Sequence, residues 1–186
     1  MNDFGKNLKW GQVGESKVSV FFQQMGYSVL PVYEKIVDEG KGPQVYQLGQ
    51  SLVAPDSLVF NGTKAFWVEA KMKTSFSLHR ITGNMVTGID LRHYKDYVEL
   101  DGSSPWDVWI TFLHLGGKER GSAEETEPGL FTNNISTLSR CENHRSTKWA
   151  GGMVYWAKQS LVKIADYKNG LIIPTMNPVS NPAKRA

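Results

Sequence analysis

The sequence predicts an α/β domain with a mixed central β-sheet flanked by helices, and three observations predict it. An amphipathic helical run lies near the start, two apolar strands meet at an Asn-Gly pair, and a second helix leads into a strongly apolar strand. That order of helix, strand, hairpin, helix and strand implies helices packed on a sheet. With 186 residues, the chain fits one domain, expected over residues 1–174, followed by a frayed tail at 175–186 that carries two prolines and a basic end.

Residues 11–25 read as the first helix, because Val18, Phe21, Phe22 and Met25 recur at helical spacing and Gly26 follows as a stop. Residues 27–32 read as a strand, with Pro31 limiting its pairing on one side. A turn is expected at Asp38–Pro43. Leu52–Phe60 and Ala65–Lys71 are two strands joined at Asn61-Gly62, the strongest hairpin signal in the chain. Residues 73–88 are polar with several glycines and read as a connection, before a helix at 89–99 and a break at 101–105. Asp107–Leu115 is a buried-type strand, and Met153–Ala165 holds one or two more. Between them lies a polar stretch with one short helix near 130–138.

Hydrophobic residues make up 40% of the chain and charged residues 21%, which is enough to bury a core. No apolar run reaches the roughly 18 residues of a membrane span, and the start lacks a signal-peptide pattern. The single cysteine, Cys141, excludes an internal disulfide and suits a reducing compartment, so a soluble intracellular, cytoplasmic protein is expected. Cys141 and His144 lack a second pair at zinc-site spacing. No P-loop or dinucleotide-binding glycine pattern is present. Trp106, Trp109, Trp149 and Trp156 lie in or beside apolar segments and are expected in the core. The net charge of +3 concentrates toward the end, where residues 150–186 hold five Lys and Arg against one Asp. A mild basic bias of this kind favours a polyanionic partner.

The hairpin carries the chemistry. Side chains alternate along a strand, so Glu69 and Lys71 share a face while Val68 and Ala70 point the other way. A two-residue loop sets Asp56 opposite Trp67, and a four-residue loop sets it opposite Glu69. Either register brings Asp56 to the face of Glu69 and Lys71, whereas a three-residue loop breaks the parity. Two carboxylates in apolar surroundings repel each other unless a cation joins them. Oxygen ligands of this type suit Mg2+ or Mn2+, and Lys71 is placed to orient an attacking water or stabilise developing charge. On the first helix, Glu15 shares the stripe of Val18 and Phe22 and is a further candidate. A plainer reading makes Asp56 a turn residue and Glu69–Lys71 a solvated sheet edge; the apolar remainder of both strands speaks against it.

Pro55-Asp56, twelve residues, then Glu69-Ala70-Lys71 resembles the PD-(D/E)xK nuclease motif. With the Glu15 helix upstream, residues 11–115 resemble that superfamily, as in archaeal Holliday junction resolvases and restriction-type endonucleases. The resemblance implies a restriction-endonuclease-like core and an Mg2+- or Mn2+-dependent, endonuclease-type hydrolase acting on DNA. Asp56, Glu69, the Ala70 carbonyl and Glu15 would serve the metal, and Lys71 the attacking water. Lys73, Arg80, Arg92, His93 and Lys95 would contact the nucleic acid. Some relatives carry a Gln-x-x-x-Tyr motif on the next helix; the matching stretch here is His93-Tyr94-Lys95-Asp96-Tyr97, without the glutamine. In its compactness the chain resembles stand-alone nucleases of phages and mobile elements, and related small nucleases suggest a homodimer. A non-catalytic nucleic-acid-binding module of the same fold is the alternative.

Overall fold

The protein is described by a computed structural model covering residues 3–32, 43–118, 125–148 and 151–175, with backbone alone for residues 3–8. Its main sheet has seven strands in the order β1 (Ser28–Pro31), β4 (Ser57–Asn61), β5 (Lys64–Lys73), β8 (Val108–His114), β11 (Gly129–Asn134), β14 (Val162–Lys168) and β15 (Leu171–Pro174). β5 and β8 are parallel, and the other neighbours are antiparallel. The sheet is therefore mixed, as expected. The β5–β8 crossover runs through α2 (Leu91–Ser103), as a parallel connection requires.

Helices cover both faces. α1 (Asp3–Gln24) lays Val18, Phe21 and Phe22 over Val59, Val68, Ala70 and Leu113. At Gly14 α1 lies close against the sheet: a Cβ there would stand 2.7 Å from the Met72 Cβ. On the opposite face, Tyr94, Tyr97 and Leu100 of α2, with Ile135 and Leu138 of α3 (Ile135–Leu138), pack over Ile110, Phe112 and Phe131. A second, four-stranded sheet joins this layer in the order β12 (Glu142–Ser146), β13 (Met153–Ala157), β7 (Asn84–Asp90) and β6 (Ser77–His79). Two short pairs complete the described strands: β2 (Gln44–Gln47) with β3 (Gln50–Val53), and β9 (Gly117–Lys118) with β10 (Glu125–Thr126).

Several expectations are corrected. The single strand expected at Leu52–Phe60 is broken at Ala54-Pro55-Asp56, so β3 pairs with β2 while β4 enters the main sheet; Pro55 has no amide to give a ladder. Residues 77–79 and 84–90 form β6 and β7 instead of a loop. Gly88 is needed there because a Cβ would fall 2.2 Å from the Val154 carbonyl oxygen. α1 begins well before residue 11. α2 begins after Asp90, whose side chain accepts from the Arg92 amide at 2.8 Å as an N-cap, and it runs through the expected break to Ser103. Of the helix expected near 130–138, residues 129–134 are core strand β11 and 135–138 are helical, capped by Asn134. The expected turn lies outside the described residues apart from Pro43, as do Trp149 and the tail beyond Thr175. Trp156 is fully buried, and its Nε1 donates to the Leu138 carbonyl at 2.9 Å.

Candidate active site

The hairpin register decides where the charged side chains go. Phe60 pairs with Ala65 and Asn61 with Lys64, with Gly62 turning the chain at φ +59°. This is the wider of the two loop registers, and it carries Ser57 to Val68, so Asp56 reaches the level of Glu69 and Ala70. Because the Pro55 break takes Asp56 out of the strand, its side chain supplies the bond: Oδ2 accepts from the Ala70 amide at 2.7 Å.

Trp67, Glu69, Lys71 and Lys73 line the α2 face of β5, while Val68 and Ala70 belong to the α1 core. Glu69 is 1% exposed. Its Oε1 pairs with the Lys71 ammonium, and the Tyr97 hydroxyl of α2 stands at the same carboxylate. Oε2 is buried without a hydrogen-bond partner among the described residues, a costly state for a carboxylate oxygen.

Three carboxyl groups act electrostatically on one ammonium, Lys71, which pairs with Glu69. Burial, then the charge of Glu69, pushes the Asp56 carboxyl up to about 8, with Glu15 adding to the rise and Lys71 and the Ala70 amide opposing it. Burial also raises Glu15, with Lys71 opposing and Glu69 adding to the rise. For Lys71 burial disfavours the charge, but Glu69, Asp56 and Glu15 outweigh it and hold the ammonium above its ordinary range. Burial together with Glu69 pushes Tyr97 well above the usual phenol value. Glu15, Gln12 and Ser19 of α1 join Asp56 and Ala70 around a cavity of about 390 Å3.

The sequence-predicted residues Asp56, Glu69, Ala70, Lys71 and Glu15 are thus close enough to interact. Among the described residues, no three His, Cys, Asp or Glu side chains form a ready-made metal cage, so the three carboxylates do not by themselves complete a coordination shell. Of the expected nucleic-acid contacts, Lys73 lies on the site face. Arg80 is exposed in the β6–β7 turn, Arg92 pairs with Asp90 at 3.4 Å, and Lys95 is exposed. His93 sits one turn from Tyr97, its ring centroid 6.2 Å from that ring. Tyr97 was missed as a site residue; its signal was the last position of the His93–Tyr97 stretch, on the buried stripe of α2. Cys141 is occupied locally, its Sγ donating to the Thr137 carbonyl at 3.1 Å.

No protein-family model matches the chain, and no curated protein matches it in sequence. Among solved structures it is similar to Hjc, a Holliday junction resolvase from the hyperthermophilic archaeon Archaeoglobus fulgidus. Identity is 10%, the TM-score is 0.48, and the match covers 83% of this chain and 91% of that one. The chemistry of the site therefore stands on its own residues. Among the described residues, no helix is long and apolar enough to cross a membrane.

Proposed function

We propose that the protein is a divalent-metal-dependent nuclease of the PD-(D/E)xK type that hydrolyses phosphodiester bonds in DNA. One observation carries the reading: the buried Glu69 pairs with Lys71, Asp56 and Glu15 act electrostatically on that same ammonium, and one Glu69 oxygen is left without a partner among the described residues. This donor set fits Mg2+ or Mn2+, which take one or two carboxylates and complete their shell with water and phosphate oxygens. Asp56, Glu69 and the Ala70 carbonyl would hold the ion, with Glu15 beside them. When bound, the ion supplies Lewis-acid stabilisation of phosphate charge and lowers the pKa of a water.

The chain's own residues do the rest. Lys71, fixed on Glu69, directs its ammonium at the attacking water or a phosphate oxygen. The Ala70 amide holds the Asp56 carboxylate in one orientation. Tyr97 fixes Glu69 from the α2 side, as groups behind a metal ligand do. Arg80, Arg92, His93 and Lys95 are the proposed contacts to the DNA backbone.

The test is cleavage of supercoiled plasmid, single strands and branched junctions with Mg2+ or Mn2+ present. Wild type is expected to cut at least one, and Asp56→Ala none. Identical products from both proteins, or no cutting of any substrate, overturn the reading; DNA binding without metal binding would favour the non-catalytic module.

A further inference from the structure

Lys73 stands apart from the other lysines. Of the described lysines that are not exposed, Lys17 donates to the Gly170 carbonyl, Lys71 pairs with Glu69, Lys158 with Glu127, and Lys163 with Glu127 and Asp166. Among them, the Lys73 ammonium alone has neither hydrogen bond nor ion pair within the described residues; the residue's carbonyl accepts from the Leu115 amide at 3.0 Å. No carboxylate of the described residues pairs with its ammonium. Across the parallel ladder its partner is His114, which is fully buried, with both ring nitrogens without a partner among the described residues and its ring flat on Phe76 at 3.8 Å. Burial, Lys73 and Lys158 push His114 down to about 3, so it is neutral at physiological pH and gives Lys73 no counter-charge. The other charged group facing Lys73 is Lys71 on its own strand.

Position adds direction. Along one face of β5 come Glu69, Lys71 and Lys73 in steps of two residues, about 7 Å each. Carboxylates therefore lie at one end of the row and a proton donor with no partner among the described residues at the other, with Lys71 between them. An in-line displacement at phosphorus needs that polarity: an activated water on one side and a departing oxygen that takes up a proton on the other.

Resting on the nuclease reading of this site, we propose that Lys73 is the general acid that protonates the leaving oxygen. The water oxygen bonds to phosphorus, the bridging P–O bond breaks, and the Lys73 ammonium transfers a proton to the departing oxygen. The proton lost by the water goes to solvent, and solvent reprotonates Lys73. Burial and the neighbouring Lys71 bring Lys73 down to about 8, close to the working range of an efficient general acid.

The experiment compares a DNA substrate that the wild type cuts with the same substrate bearing sulfur as the bridging leaving atom, since a thiolate departs without protonation. Lys73→Met is expected to lower kcat on the oxygen substrate by about 10²-fold, to change the sulfur substrate less than about threefold, and to lose the fall in rate above pH 8. Lys73→Arg should not restore the rate, because a guanidinium does not release its proton near neutrality. Lys73→Gln serves if the Met variant folds poorly. Equal slowing on both substrates, or rescue by Arg, overturns the assignment and makes Lys73 an electrostatic contact. Wild-type activity that depends on Asp56 but not on Lys73 sinks this step alone, whereas loss of all metal-dependent cutting by the wild type sinks the nuclease reading with it.

Discussion

Two lysine–carboxylate clusters in this protein behave in opposite ways. At the surface, Glu127 takes Lys158 at 2.8 Å and Lys163 at 2.7 Å, and Lys163 also pairs with Asp166 at 2.8 Å. Hydrogen bonds from the lysines lower the Glu127 and Asp166 carboxyls, so every carboxylate there is content in its charged form. In the hairpin cluster burial and mutual repulsion raise Asp56 and Glu15 around a single lysine. The first is a balanced structural network. The second is short of positive charge at its centre, which distinguishes a prospective metal site from an ordinary ion pair.

The largest way to break the comparison is through activity. Asp56→Asn is expected to lower metal-dependent cleavage by about 10³-fold, the scale of losing metal-assisted charge stabilisation, while Glu127→Gln leaves the rate unchanged. Comparable losses from both would erase the distinction. Next in size is Tyr97→Phe, which removes the hydroxyl at Glu69 while keeping the buried ring. Metal affinity or kcat should fall about tenfold, with the unfolding midpoint nearly unchanged.

Stability sharpens the contrast further. The folded Asp56 carboxyl titrates near 8 against 3.8 for the unfolded group, so between those values the folded state holds the extra proton. Metal-free protein should therefore lose stability as pH rises from about 4 through about 8. Asp56→Asn should flatten that dependence and stabilise the metal-free protein at pH 8 by on the order of 2–4 kcal/mol. Glu127, with its carboxyl lowered, contributes in the other sense: its stabilisation is present above the unfolded value of 4.5 and lost as pH falls below it. Being exposed, Glu127→Gln should change stability by less than about 1 kcal/mol. Denaturant melts across pH, with chelator present, measure both.

The sequence made the site more legible than its frame. Asn61-Gly62 brought Asp56 to the level of Glu69, because a hairpin's register is local. Strand parity did not apply to it, since the Pro55 break takes Asp56 out of the strand and its side chain meets the Ala70 amide. The Pro55 break was harder, since whether a proline ends a strand depends on whether a neighbour needs its amide. Gly88 read as a loop residue because its reason lies on β13, where Val154 and Tyr155 leave no room for a side chain. Likewise Gly129–Asn134 became a core strand through pairing with β8 and β14, partners remote in sequence. Tyr97 was visible as part of a stretch, but its meeting with Glu69 depends on how α2 docks on the sheet.

Calorimetric titration of the metal-free protein with Mn2+ at pH 7, repeated in buffers of different ionisation enthalpy, addresses the charge-deficient cluster most directly. Because Asp56 is held protonated below about 8, ion binding should release close to one proton, and Asp56→Asn should abolish both the binding and the release. Absence of binding by wild type, or the same binding by Asp56→Asn, would contradict the account.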